Sequence, residues 1–109
     1  MKIIKRSGSE AVYDSNKIIA AVQKANASVI DYEKLSDEQI KEIADNVETA
    51  CENMKRSPSV EEIQDMVENQ LMNQRAFTVA RNYITYRYKR ALVRKSNSTD
   101  QQILSLLEC

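Results

Sequence analysis

The spacing of apolar residues changes along this chain, and the changes mark its elements. Ile3 and Ile4, then Val12 and Tyr13, are β-formers on either side of Ser7, Gly8 and Ser9, a stretch that holds the only glycine. Short extended segments over 2–6 and 11–14 around that turn predict a hairpin. From there the period is helical. Asp14 or Ser15 caps a first helix with Ile18, Ile19, Val22 and Ala25 on one side. Ser36 and Gln39 fit a capping box that opens a second helix, carrying Ile40, Ile43, Ala44, Val47, Cys51 and Met54. Pro58 disfavours helix just before it. Ser59 and Glu62 fit another capping box, opening a third helix with Ile63, Met66, Val67 and Leu71 inward. After a short break at 72–74, a last helix runs over roughly 75–93. At 100° per residue, Ala76, Ala80, Tyr83, Ile84 and Ala91 share one face of it.

Composition agrees with a mostly helical globular domain. The chain has 109 residues, 42% apolar and 29% charged, with one Gly and one Pro. That length suits one domain. No apolar run reaches the length of a membrane span and no apolar signal segment follows Met1, so a cytoplasmic location is expected. The stretch "RKSNSTDQQ" is polar and linker-like, and "ILSLLEC" begins something apolar with no domain left to pack into. Residues 95–109 therefore read as a linker and the start of a following domain.

Several chemistries are excluded. There is no histidine, which removes Ser/His and Cys/His catalysis and zinc held by Cys/His pairs. Of the two cysteines, Cys51 falls in an apolar stripe and is expected to pack there, and Cys109 is the last residue. One glycine cannot make a Walker A loop, which needs two, so any phosphate site must use side-chain cations. The carboxylates fall on helix exteriors with no partner pattern, and no protein metal site is expected.

Charge then changes the picture. The net charge is zero, yet residues 31–68 carry twelve Asp/Glu against four Lys/Arg, and residues 69–99 hold seven bases and no acid. The first thirty residues add five bases against Glu10 and Asp14. Basic ends brought together would make one cationic surface for an anionic ligand. Arg87 projects from the middle of the last helix's apolar face, where a charge is costly unless paired. It either binds an anion or pairs with a carboxylate of the second or third helix. Lys5 and Arg6 could decorate an exposed hairpin edge. Strand alternation also sends them to opposite sides, so only one should face a single ligand.

Four motifs, in order from about residue 2 to 93, resemble the ATP-cone domain. They are K-R-x-G (Lys5, Arg6, Gly8), V-Y-D-x-x-K-I (Val12 to Ile18), S-V-E-E-I-Q-D-M-V (Ser59 to Val67) and A-R-N-Y-I-x-Y-R (Ala80 to Arg87). The resemblance implies an α+β fold over residues 1–94, a β-hairpin lid on a four-helix bundle with the nucleotide beneath the lid. It implies an allosteric, non-catalytic domain controlling a ribonucleotide reductase, with ATP or dATP plus Mg as ligand. Expected partners are adenine nucleotides, the rest of the reductase chain and a homo-oligomer, not membrane or nucleic acid. "SNSTDQQILSLLE" is similar to the segment after the cone in anaerobic, glycyl-radical ribonucleoside triphosphate reductases.

The resemblance also assigns residues. Lys5 and Arg6 match lid cations, Lys17 and Lys89 match phosphate-binding lysines, and Asp14 matches a polar position near the adenine or ribose. Ile3, Ser59, Ile63 and Arg87 complete the expected nucleotide set, Ser59 through the anion-binding start of its helix. Two departures stand out: some cones carry a histidine at the position of Ile63 and a carboxylate at that of Ala11. The alternatives are the cone of a nucleotide-responsive transcriptional repressor, another nucleic-acid-binding module, or an interaction module with no small ligand. The repressor form carries a zinc ribbon ahead of its cone, and this chain begins at the hairpin without cysteine pairs.

Overall fold

The computed structural model describes residues 1–99. Two three-residue strands, β1 (Lys2–Ile4) and β2 (Glu10–Val12), pair antiparallel with Ile3 opposite Ala11. The turn between them closes through the Lys5 N–H on the Ser9 carbonyl at 2.8 Å and the Gly8 N–H on the Lys5 carbonyl at 2.9 Å. Gly8 sits at φ +89, a conformation that only glycine adopts without strain. Such a ribbon is marginal alone, and this one is fastened to the helices. The Ile4 N–H donates to the Pro58 carbonyl at 2.9 Å, and Ile4 bridges Ser59 in parallel.

Helices α1 (Ser15–Ala27), α2 (Asp37–Glu52), α3 (Val60–Asn73) and α4 (Phe77–Thr99) follow, with a 3-10 turn at Asp31–Glu33 between α1 and α2. Their starts obey the local rules. The Asp14 carboxylate accepts from the Asn16 N–H at 3.0 Å. Ser36 with Gln39, and Ser59 with Glu62, form complete capping boxes. Between α1 and α2 the Asn26 amide donates to the Leu35 carbonyl and accepts from the Leu35 N–H, closing the crossover.

The core lies where all four helices meet. Val22, Ile43, Val47, Val67, Leu71 and Val79 are fully buried, and Cys51 joins them with its Sγ 3.7 Å from Met66 Sδ. Ile18, Ile19 and Met66 are half-buried at its edge. No helix among the described residues is long and apolar enough to cross a membrane.

Helix α4 departs from its expected pattern. Its buried face is Ala76, Val79, Ala80 and Tyr83, while Ile84 is 38% exposed and Ala91 is exposed. The centre of the stripe thus falls between Val79 and Ala80, and Ile84 lies on its rim. Helix α4 also runs on through Lys95–Thr99 where a linker was expected, because no Pro or Gly there stops it. The apolar "ILSLLEC" and Cys109 lie outside the described residues.

The α3–α4 corner is a Schellman turn, with the Ala76 N–H on the Leu71 carbonyl at 3.0 Å. Its left-handed position, usually glycine, is Arg75 at φ 59. Arg75→Gly should therefore raise stability by roughly 1 kcal/mol, read as a higher urea midpoint. A lower midpoint would mean that the Arg75 side chain makes a contact outweighing the strain.

A second expectation concerns pH. Hydrogen bonds from Arg56 and from Ser59 hold the Glu62 carboxyl down at about 2, against an ordinary 4.5. A depressed folded value stabilises above the unfolded one and is lost as pH falls through the folded one. Glu62→Gln keeps the capping box but not the charge. The wild-type advantage over Glu62→Gln should be full at pH 6 to 7 and shrink from about pH 4.5 towards pH 2 in thermal melts. A constant gap would mean that the carboxylate is not held in this way.

Candidate functional site

A cavity of about 290 Å³ opens beneath the hairpin. Ile3 and Ala11, directly opposite across the ribbon, share the face that roofs it. Lys5 reaches it from the turn, and Val12, Tyr13 and Asp14 line it where β2 passes into α1. Helix α1 contributes Lys17, Ile18 and Ala21, helix α3 contributes Val60, Ile63 and Gln64, and α4 contributes Tyr83. The α1 and α3 sets follow i, i+4 spacing, so one face of each helix suffices. Small-molecule sites span about 300–1,000 Å³, with mostly apolar walls and a few placed polar groups, and this cavity is at the lower end.

The polar groups are sparse and mostly cationic. Lys5 and Lys17 are the ammonium groups on the wall, and Asp14 is its carboxylate. Asp14 spends Oδ1 on capping α1. Burial pushes the Tyr83 hydroxyl up to about 12. Burial, with Cys51 and the carboxylates of α2 behind it, also raises Tyr13 above its ordinary value. Both phenols are neutral, and the cavity meets them as aromatic walls. The Tyr13 hydroxyl is buried without a hydrogen-bond partner.

Ile3, Lys5, Asp14, Lys17 and Ile63, all singled out by sequence, meet on this cavity. Ser59 stands beside it as the cap of α3, in a capping box with Glu62. Arg6, past the end of β1 in the turn, points the other way from Lys5. It pairs with Glu61 and donates to Gln64 Oε1 at 3.2 Å.

Arg87 pairs with Asp65 at 2.7 Å and with Glu68, both on α3. Burial opposes its charge, and the hydrogen bonds it donates to Asp65 and Glu68 outweigh that and raise its pKa. It lines a separate cleft with Arg6, Glu68 and Tyr88.

Lys89 is exposed and off the cavity wall. Its level follows from helix register. Asn82 donates to the Ala25 carbonyl at 3.0 Å, and Lys24 lies 5.3 Å from the Tyr86 ring centre, so α1 and α4 run antiparallel. Two turns beyond Asn82 is Lys89, and two turns back from Ala25 is Ile18, next to Lys17.

Sequence reasoning missed Ala11, Val12, Tyr13, Ile18, Ala21, Val60, Gln64 and Tyr83 as walls. Only the i, i+4 relation of Lys17 to Ala21, and of Val60 to Gln64, could have suggested two of them. No group of three or more His, Cys, Asp or Glu among the described residues could hold a metal ion. The arrangement can bind an anion that carries an apolar or aromatic body.

A family described as ATP cone domain matches residues 1–92. The chain is 38% identical over 104 residues to a vitamin B12-dependent ribonucleoside-diphosphate reductase of Thermoplasma acidophilum, covering 86% of this chain and 12% of the relative. It is 32% identical to a ribonucleoside-diphosphate reductase subunit alpha of Chlamydia trachomatis, covering 92% and 10%. It is 34% identical to an anaerobic ribonucleoside-triphosphate reductase of Haemophilus influenzae, covering 97% and 15%. The chain thus spans about a tenth of the length of the curated relatives it matches.

The Arg87 pairing has a measurable consequence. Arg87→Met keeps most of the stem and leaves the half-buried Glu68 carboxylate unpaired. Stability should fall by about 1–2 kcal/mol in urea denaturation. An unchanged midpoint would show that the pairs contribute nothing and that the guanidinium is available to a ligand.

Proposed function

The chain belongs to the ATP-cone family, and on that premise we propose that it is the nucleotide-sensing regulatory domain of a ribonucleotide reductase. It takes ATP or dATP beneath the hairpin and carries out no chemistry of its own. The observation that carries this reading is the cavity itself, whose walls are apolar and aromatic and whose cations come from elements far apart in sequence, Lys5 on the hairpin and Lys17 on α1. An adenine ring suits the walls formed by Ile3, Ile18, Ile63 and Tyr83. The triphosphate goes to Lys5 and Lys17, with Lys89 approaching from α4. Mg arrives on the triphosphate. The second oxygen of Asp14 is the acceptor for a ribose hydroxyl, which places it where ATP and dATP differ.

Magnitudes allow this assignment. Hydrogen bonds to charged groups contribute about 1.5–3 kcal/mol each. Three such contacts plus a stacked base, less the cost of association, give micromolar affinity, about −8.2 kcal/mol. Arg87 stays outside the set because it lines a separate cleft, where two carboxylates, Asp65 and Glu68, hold it. The reductase we assign is the anaerobic triphosphate type, on the similarity of residues 96–108. The cone acts there on the rest of the chain and on its association state, in the cytoplasm.

Titration calorimetry with ATP, dATP, GTP, inorganic triphosphate and a DNA duplex tests the reading. ATP and dATP should bind tightest and raise the melting midpoint by about ten degrees at a hundredfold excess over Kd. Triphosphate should do less than GTP. Lys5→Ala, Lys17→Ala or Lys89→Ala should each weaken ATP about tenfold. Triphosphate binding as well as ATP would make this a generic anion trap. Salt-sensitive DNA binding with no response to ATP would favour a nucleic-acid module.

A further inference from the structure

Arg6 is a lid cation that a carboxylate already holds. It follows Lys5 in the turn of the hairpin, yet its guanidinium is drawn to the first turns of α3, where it pairs with Glu61 and donates to Gln64. Gln64 is itself a wall residue of the cavity, so Arg6 stands at the cavity's edge, facing away from it. Glu61 and Gln64 are three apart on α3 and share one side of the helix. Asp65 and Glu68, further along α3, hold Arg87 in the same manner. The helix therefore carries an acidic edge that occupies two cations next to a site for an anion.

Glu61 is not needed for the cap. The capping box of α3 is made by Ser59 and Glu62, whose other partner is Arg56. Nor does Glu61 touch the hairpin backbone, which is fastened by Ile4 to Pro58. What its carboxylate does is neutralise Arg6.

We propose that Glu61 is an affinity-setting residue of the nucleotide site, a built-in competitor that holds Arg6 until a triphosphate takes its place. This rests on the nucleotide reading above. Arg6 exchanges one anionic partner for another, so binding gains only the difference between phosphate and carboxylate. The exchange also links occupancy to the lid, because the residue that leaves α3 belongs to the hairpin turn. Removing the Glu61 charge takes this partner from Arg6 and tightens binding, while removing Arg6 leaves Glu61 nothing to withhold.

The test is a double-mutant cycle read by ATP calorimetry on the wild type, Glu61→Gln, Arg6→Ala and the double variant. The Arg6 and Glu61 side chains are 32% and 46% exposed, which fits an exchange worth about two- to fivefold. Glu61→Gln should bind ATP that much more tightly, Arg6→Ala should bind more weakly, and the gain should vanish when Arg6 is absent. Hydrogen exchange without nucleotide gives a second readout. Glu61→Gln should speed exchange of the Lys5 and Gly8 amides, and ATP should restore their protection.

Weaker or unchanged ATP binding by Glu61→Gln would overturn the inference, since Glu61 would then be a fixed strap or a bystander. A gain that persists without Arg6 would overturn it too, because plain charge repulsion would explain it. Wild type that binds neither ATP nor inorganic triphosphate overturns the nucleotide reading itself, and this inference with it.

Discussion

The joint between β1 and the start of α3 holds this fold and its cavity together. Two three-residue strands cannot stand alone. The Ile4 N–H on the Pro58 carbonyl gives the ribbon a third partner, and the partner is the residue before the α3 cap. Pro58 has no N–H to lose and is itself fully buried, so its carbonyl is presented rigidly. Because Ser59 caps α3 at that same point, the hairpin, the helix start and the cavity roof are set by one short stretch. Ile3 then faces the cavity while Ile4, pointing to the other side of the ribbon, stays partly exposed, which follows from strand alternation once the joint is made.

Charge is arranged around that joint. Acids dominate α2 and α3, bases dominate α4 and the N-terminus, and no polar or charged side chain among the described residues is fully buried. Among the described residues, Arg6 pairs with Glu61, Arg56 with Glu62 and Arg87 with Asp65 and Glu68, and each of these pairs ends on α3. Helix α3 is thus the anionic spine of the bundle. On the cavity wall, by contrast, Lys5 and Lys17 face a single carboxylate, Asp14, already committed to a cap. The polarity of the site comes from this division, not from the net charge, which is zero.

What could be read from the sequence was whatever depends on neighbours. Caps at Asp14, Ser36 and Ser59 are local devices, and their side chains find N–H groups two or three residues away whatever the fold. The opposed directions of Lys5 and Arg6 match the alternation expected of an extended strand, although both residues lie past the end of β1, in the turn. The family motifs brought in Ile3, Lys5, Asp14, Lys17 and Ile63, which share the cavity. Hidden from the sequence was what depends on packing at a distance. Ile84 lies 80° from Ala76 on the helical wheel, and only the placement of α3 decides that it faces outward. Arg75 takes a glycine's conformation with no glycine to announce it. Tyr83 and Gln64 become cavity walls because α3 and α4 converge below the hairpin, a fact carried by no local pattern.

Amide chemical-shift mapping of the labelled chain during an ATP titration tests the central claim most directly. Perturbations should gather at Ile3, Ala11, Asp14, Lys17, Ile63 and Tyr83, which the fold brings from five elements and one loop to a single cavity. Tyr32 and Phe77, exposed on another face, should stay still. Shifts centred on Tyr32 and Phe77, or none anywhere at saturating ATP, would contradict the assignment of this cavity as the nucleotide site.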